Sequence, residues 1–243
     1  MMKTYSETKL IRTSNCDLTG HWRLSSILAL MQELAGTHAH FLGCGRDFLL
    51  EQGLVWVLSR TELQMDRYPA VGETVRVDTF PMPNRRWFFP RYFCFYDEAG
   101  EQIGRAGTLW LLMDLQARKM AAPEAALRFL PDNSDLTPPM DFPGNIAPVE
   151  GEEIRTLYTP VNTDIDVNRH MNNTRYGDVL CNALSLETLE KKEFSHVLIH
   201  YLKEVLPGGE LQISLRQEGE RLRMLGSRGE EKCFDIGAEL RER

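Results

Sequence analysis

Asp17-Leu18-Thr19-Gly20-His21 stands just before a long apolar stripe of helical spacing, and Asp166-Val167-Asn168-Arg169-His170 stands just before a second one. Both read D-x-x-x-H, at a constant offset of 149 residues, from 17 to 166 and from 21 to 170. Further along, Pro69-Ala70-Val71-Gly72-Glu73 and Pro207-Gly208-Gly209-Glu210 each open an alternating segment. One such match arises easily. Several in the same order and at nearly one spacing imply a structural unit that occurs twice.

The pattern around these motifs says what the unit is. Leu24, Ile27, Leu28, Met31, Leu34 and Ala35 recur as one buried face of a helix. Ser59–Met65, Val75 with Val77, the aromatic run Trp87–Tyr96 and Ile103–Met113 then read as antiparallel strands, with a hairpin turn at Asp97–Gly100. In the second half Tyr176, Val179, Leu180, Ala183 and Leu184 repeat the helical stripe behind the capping candidates Asn172, Asn173 and Thr174. Strands are expected again at His196–Val205, Glu210–Gln217, Arg221–Ser227 and Lys232–Leu240. The fold class is therefore α+β, a tandem of helix-plus-antiparallel-sheet units.

A length of 243 residues suits one or two domains at roughly 150 residues each. Between Pro123 and Pro148 six prolines break any periodicity, so the expected division is 1–122, a linker at 123–150, and 151–243.

Composition narrows the function. With 42% hydrophobic and 26% charged residues the chain is neither disordered nor, lacking any long apolar run, membrane-spanning. Its amino-terminal stretch has no signal-peptide core, so a cytoplasmic protein is expected. Five cysteines without a C-x-x-C pair suggest neither a disulfide framework nor a zinc site. A net charge of -7 argues against a nucleic-acid binder.

The densest polar cluster runs from Asn162 to Asn173 at the entrance of the second helix, where free backbone N–H groups favour negative charge. Asp166, Asn168 and His170 alternate, so an extended lead-in would point a carboxylate, an amide and an imidazole to one side. Taken singly, each residue reads as a cap or turn former. As a set, with Tyr176 following, they read as a reaction site. A metal site on Asp164, Asp166 and His170 lacks a recognisable ligand spacing, and neither a metal nor a cofactor is expected.

The stretch N-R-H-M-N-N-x-x-Y, preceded by D-x-D-V, resembles the motif of acyl-acyl carrier protein thioesterases, the plant plastid enzymes and their bacterial relatives. Val55-Trp56-Val57 with Arg60, Asp66-Arg67-Tyr68-Pro69, Val77-Asp78-Thr79, Arg91, Trp110 with Asp114, and Arg118-Lys119 agree with it, from about Tyr5 to about Leu215. The resemblance implies a tandem (double) hotdog fold, each unit a sheet wrapped around a long helix. It also implies hydrolysis of fatty acyl-acyl carrier protein. An acyl-CoA thioesterase and a non-catalytic acyl-binding protein are the alternatives.

Carried over by position, the family's D-x-N-x-H falls on Asp166, Asn168 and His170, and its Y-x-x-E-C strand falls on Tyr201, Glu204 and Val205. The cysteine is missing, which leaves activated water as the attacking group. On a strand from His196 to Val205, Glu204 would share a face with His200 and complete the site, while His200 reads as structural. Because the first D-x-x-x-H has Thr19 in place of Asn168, one active site is expected. Asn173 would touch substrate, and Leu28, Met31 and Trp56 would line the acyl chain. Acidic carrier protein would meet local positive charge at Arg85-Arg86, Arg118-Lys119 or Arg128. Monomer and homodimer both remain open.

Overall fold

The computed structural model describes residues 1–243. The first half runs β1 (Tyr5–Leu10), α1 (Leu24–Phe41), α2 (Arg46–Glu51), β2 (Leu54–Met65), β3 (Thr74–Pro81), β4 (Phe89–Tyr96), β5 (Gln102–Asp114) and the short β6 (Lys119–Met120). After α3 (Glu124–Leu127) the second half runs β7 (Glu153–Tyr158), α4 (Arg175–Asn182), α5 (Leu186–Lys191), β8 (Lys192–Tyr201), β9 (Leu211–Glu218), β10 (Arg221–Arg228) and β11 (Glu231–Glu242).

All strands join one sheet of order β1-β3-β4-β5-β2-β8-β11-β10-β9-β7, with β6 on β5. Outward from the centre, each half places its second strand first, then its fifth, fourth, third and first. This identical path is the repeat in three dimensions. The halves join where β2 pairs antiparallel with β8, from Arg60 opposite His200 to Gln64 opposite His196. β1 and β7 were not foreseen. They are edge strands with at most one half-buried residue in two, and they lack the apolar alternation that marks a central strand.

On the inner face of this sheet one cluster of 35 buried residues draws on both halves. α1 and α4 lie side by side over it. Gly177 permits their approach, because a Cβ there would meet Leu24 Cγ at 3.1 Å and Leu28 Cδ1 at 3.2 Å.

The proline-rich segment 123–150 carries only α3 as regular structure and crosses the outer face of the sheet. Gly144 is its anchor at the junction of the halves. Its carbonyl accepts from Arg60 Nη1 at 2.6 Å and lies 3.0 Å from His200 Nε2, and its N–H donates to Glu62 Oε2 at 3.1 Å. Glu62 also meets His196 Nε2 at 2.9 Å. Burial alone would raise the Glu62 pKa; the bonds from His196 and Gly144 outweigh it and hold the carboxylate below its usual range.

Candidate active site

The second D-x-x-x-H is a closed turn. Asp166 Oδ1 accepts the Asn168 N–H at 2.8 Å, the Asp166 carbonyl accepts the Arg169 N–H at 3.0 Å, and the Asp166 N–H donates to the His170 carbonyl at 2.9 Å. Asp166 is thus an Asx-turn former, and Arg169 takes a positive φ of 65° to complete the reversal. The extended lead-in expected from alternation is therefore corrected: local bonds to Asp166 curl residues 166–169 back on themselves. The three side chains meet through that closure. Asn168 Nδ2 donates to Asp166 Oδ2 at 3.3 Å, and His170 Nδ1 lies 3.7 Å from Asp166 Oδ1 and 3.4 Å from the Met171 carbonyl. His170 Nε2 has no protein partner.

Helix α4 starts just beyond. Of the capping candidates Thr174 holds the N-cap position without a side-chain capping bond, and Asn172 forms an Asx turn ahead of it, its side-chain oxygen accepting the Thr174 N–H at 2.9 Å. Asn173 and Thr174 line a cavity with Tyr201, Thr61, Thr108, Trp110, Leu58, Phe93 and, from α1, Leu28, Met31 and Gln32. Its free space is about 20 Å³, room for about one water. Tyr176 packs edge-on against Tyr201 at 5.1 Å and Phe234 at 4.9 Å beneath the loop. Burial is the largest influence raising the Tyr176 hydroxyl pKa. Tyr201 and Cys233 add to it, as do the charges of Asp166 and Glu204, which sets both carboxylates around one phenol.

Glu204 reaches this neighbourhood by a route the strand pattern does not give. β8 ends at Tyr201, because the N–H groups of Leu202 and Lys203 both turn to the Cys233 carbonyl at 2.9 Å. Glu204 therefore sits on a loop and not on a strand face with His200, whose ring faces the crossing segment on the other side of the sheet. The Val205 carbonyl accepts the Met171 N–H at 2.7 Å, so Glu204 and His170 each precede one member of a hydrogen-bonded pair. Glu204 is exposed and carries no hydrogen bond. Val205 itself is 1% exposed.

Trp56 stands apart from the other residues read as acyl-lining. It faces inward beyond Leu58, packs edge-on against Phe89 at 5.0 Å and donates to the Cys44 carbonyl at 3.1 Å, outside the cavity that Leu28 and Met31 line. Asp164 turns from the site, accepting from Tyr158 OH at 2.6 Å and the Val161 N–H at 2.8 Å. Arg46, at the start of α2, was not foreseen; its Nη2 approaches Asn168 Oδ1 at 3.4 Å. A contact between halves leaves no mark in local spacing.

The first D-x-x-x-H makes the same turn. Asp17 Oδ1 accepts the Thr19 N–H at 2.8 Å, the Asp17 N–H donates to the His21 carbonyl at 2.8 Å, and Gly20 takes the positive φ of 81°. Here the polar groups are consumed. Arg243 Nη2 donates to Asp17 Oδ2 at 2.8 Å, and His21 Nδ1 lies 3.0 Å from Thr19 Oγ1 and 3.2 Å from Arg243 Nη1.

All five cysteines are free thiols, and burial raises each pKa, that of Cys44 to about 11 and that of Cys181 to about 12. Iodoacetamide at neutral pH should leave more than about half of any thioester-cleaving activity. Complete loss after one alkylation would reveal an essential thiol.

Two family models match the chain. The acyl-ACP thioesterase N-terminal domain covers residues 2–126 and the acyl-ACP thioesterase C-terminal domain covers 149–241. A chloroplastic acyl-[acyl-carrier-protein] hydrolase of Cuphea viscosissima is 27% identical over 194 residues, 74% of this chain and 47% of the relative. A chloroplastic oleoyl-acyl carrier protein thioesterase of Coriandrum sativum is 25% identical over 222 residues, 83% of this chain and 59% of the relative. The chain spans about half the length of the curated relatives it matches. Among solved structures, an acyl-ACP thioesterase from Bacteroides thetaiotaomicron superposes with a TM-score of 0.89 at 23% identity, over 98% of both chains. The 12:0-ACP thioesterase from Umbellularia californica gives 0.82 at 21% identity, over 99% of this chain and 98% of that one. The fold is the double hotdog. With its two halves matched in order by the two domain models, the chain belongs to the acyl-ACP thioesterase family.

Proposed function

We propose that this protein hydrolyses the thioester of fatty acyl-acyl carrier protein with activated water, releasing the free fatty acid and ending chain growth. The observation that carries the reading is the Asp166–Asn168–His170 turn set at the start of α4, next to Asn173 and Thr174 of an internal, largely apolar cavity. Residues 151–243 supply the catalytic unit, residues 1–122 line the acyl chain through Leu28 and Met31, and 123–150 ties the two together. The reaction needs neither metal nor cofactor, and the cytoplasm is its setting.

The roles follow from which groups are already engaged. Both oxygens of Asp166 hold Asn168, so Asp166 positions Asn168 and His170. Glu204, free of partners, takes a proton from water as the water oxygen attacks the thioester carbon. His170 donates from Nε2 to the carbonyl oxygen, and Asn168 orients the water. Each donor to the developing oxyanion is worth about 2.7 to 4 kcal/mol. The intermediate collapses with cleavage of the C–S bond, and the thiolate, with a pKa near 8.5 by analogy with cysteine, leaves with little acid help.

Carrier protein docks on the flank where Phe48 of α2 meets Phe129 beyond α3 at 5.2 Å, which brings Arg46 and Arg128 to one side of the site. Thiol release from matched acyl-carrier and acyl-CoA thioesters tests the reading. The carrier substrate should be preferred by at least about tenfold in kcat/KM, and its KM should rise with salt. Equal rates on both, with no salt effect, would reject the carrier as partner.

A further inference from the structure

Four polar side chains form a line on the inner face of the sheet. Strand register sets Arg91 of β4 beside Thr108 of β5, Thr108 beside Thr61 of β2, and Thr61 beside Ile199 of β8; Tyr201 follows two residues on. Arg91, Thr108 and Thr61 are 6%, 3% and 2% exposed. The cavity beside Asn173 runs over this line, touching Tyr201, Thr61, Thr108 and Phe93, and stops short of Arg91.

Arg91 has no carboxylate partner. Its Nη1 meets His38 Nδ1 at 3.0 Å and Thr79 Oγ1 at 3.2 Å. His38 lies fully buried on α1 with Nε2 3.3 Å from the Met2 carbonyl. Burial and the neighbouring guanidinium lower its pKa to about 4, so it adds no second charge. A buried cation held only by neutral groups is a costly arrangement, and an alkyl chain gains nothing by displacing those groups. One inward pair further along the strands from Thr108 and Arg91, where Phe89 faces Trp110 and Leu112 faces Trp56, a separate apolar cluster begins, formed by Leu49, Phe89, Leu112 and Ala126 with Trp56 packed on it; Trp110, which also lines the cavity, touches both compartments.

Two rulers give the distance from the reacting end to this barrier. From β8 to β4 is three strand spacings, about 14 Å. From Leu28 at the cavity to His38 at the barrier is ten residues of helix, about 15 Å. An extended alkyl chain advances about 1.25 Å per carbon, so either ruler holds about a dozen carbons.

We propose that Arg91, held by His38 and Thr79, is the end wall of the acyl channel and limits the thioesters this protein accepts to chains of about twelve carbons. The proposal rests on the thioester-hydrolase reading above. The full chain is assayed on carrier-protein thioesters from about 8 to about 18 carbons, with kcat/KM taken at each length. The expected optimum lies near twelve carbons, with at least about a tenfold fall by sixteen. Arg91→Ala empties the space that the guanidinium fills against His38 and Thr79, and the ratio of sixteen-carbon to eight-carbon kcat/KM rises at least about tenfold. Thr108→Leu fills the channel in front of the wall and lowers the ratio of twelve-carbon to eight-carbon kcat/KM. Wild-type protein equally fast on twelve and eighteen carbons, or a folded Arg91→Ala with an unchanged ratio, overturns the wall. Should Arg91→Ala not fold, an unchanged ratio in Thr108→Leu overturns it. No hydrolysis at any length would instead bring down the hydrolase reading, and the wall with it.

Discussion

Asp166→Ala and His170→Ala should each lower turnover on an acyl-carrier thioester at least about a hundredfold, with folding retained in thermal melts. Removing the Asp166 carboxylate releases the Asn168 N–H at 2.8 Å and the Asn168 amide at 3.3 Å, and it takes away the charge facing His170 at 3.7 Å. The turn keeps its backbone closure through the Asp166 N–H and the His170 carbonyl. The stability cost is therefore that of one polar anchor, about 1 kcal/mol, against a much larger loss in rate. Near-normal turnover in both variants would remove the site.

Phe234→Ala should be the most damaging core change near the site. The ring is fully buried, packs edge-on under Tyr176 at 4.9 Å and lies against Gly226, where a Cβ would come within 2.1 Å of it. Deleting such a ring costs about 3 to 5 kcal/mol, and the expected fall in Tm is roughly 10 °C or more. The loss should also reach activity, since Tyr176 supports the loop that carries Asp166. A fall of only a few degrees would mean that the floor of the site collapses onto the missing ring. Gly226→Ala gives the converse strain by pushing a methyl into the same ring.

The repeat was legible in the sequence because both copies keep an aspartate to cap the turn, a fourth residue tolerant of or forced into positive φ, and a histidine at the fifth position, whose backbone carbonyl closes it. Gly20 does this readily, whereas Arg169 does it under the constraint of the bonds to Asp166. Pattern alone did not show that the turn replaces an extended lead-in, because a run alternating polar and apolar residues has the same appearance in either form. Glu204 was legible only as a residue type at a family position. Its strand stops early because Leu202 and Lys203 share one acceptor on β11, a tertiary effect absent from local spacing. Trp56 faces inward as its alternation suggests, yet a β-bulge between Leu58 and Arg60 and the packing of Phe89 set it in a different compartment. Arg46 and the Arg91–His38 contact, 53 residues apart, depend wholly on the assembled sheet.

The central claim is that Glu204 and Asp166 serve one reacting bond. A double-mutant cycle on kcat for an acyl-carrier thioester, with Asp166→Asn, Glu204→Gln and the pair combined, addresses it directly. Each single variant should lose at least about a hundredfold, and the double variant should be little slower than the worse single, as for residues that act as a unit. Full turnover in Glu204→Gln would show that Glu204 lies outside the site, and losses that simply multiply would show that the two carboxylates do not act on the bond as a unit.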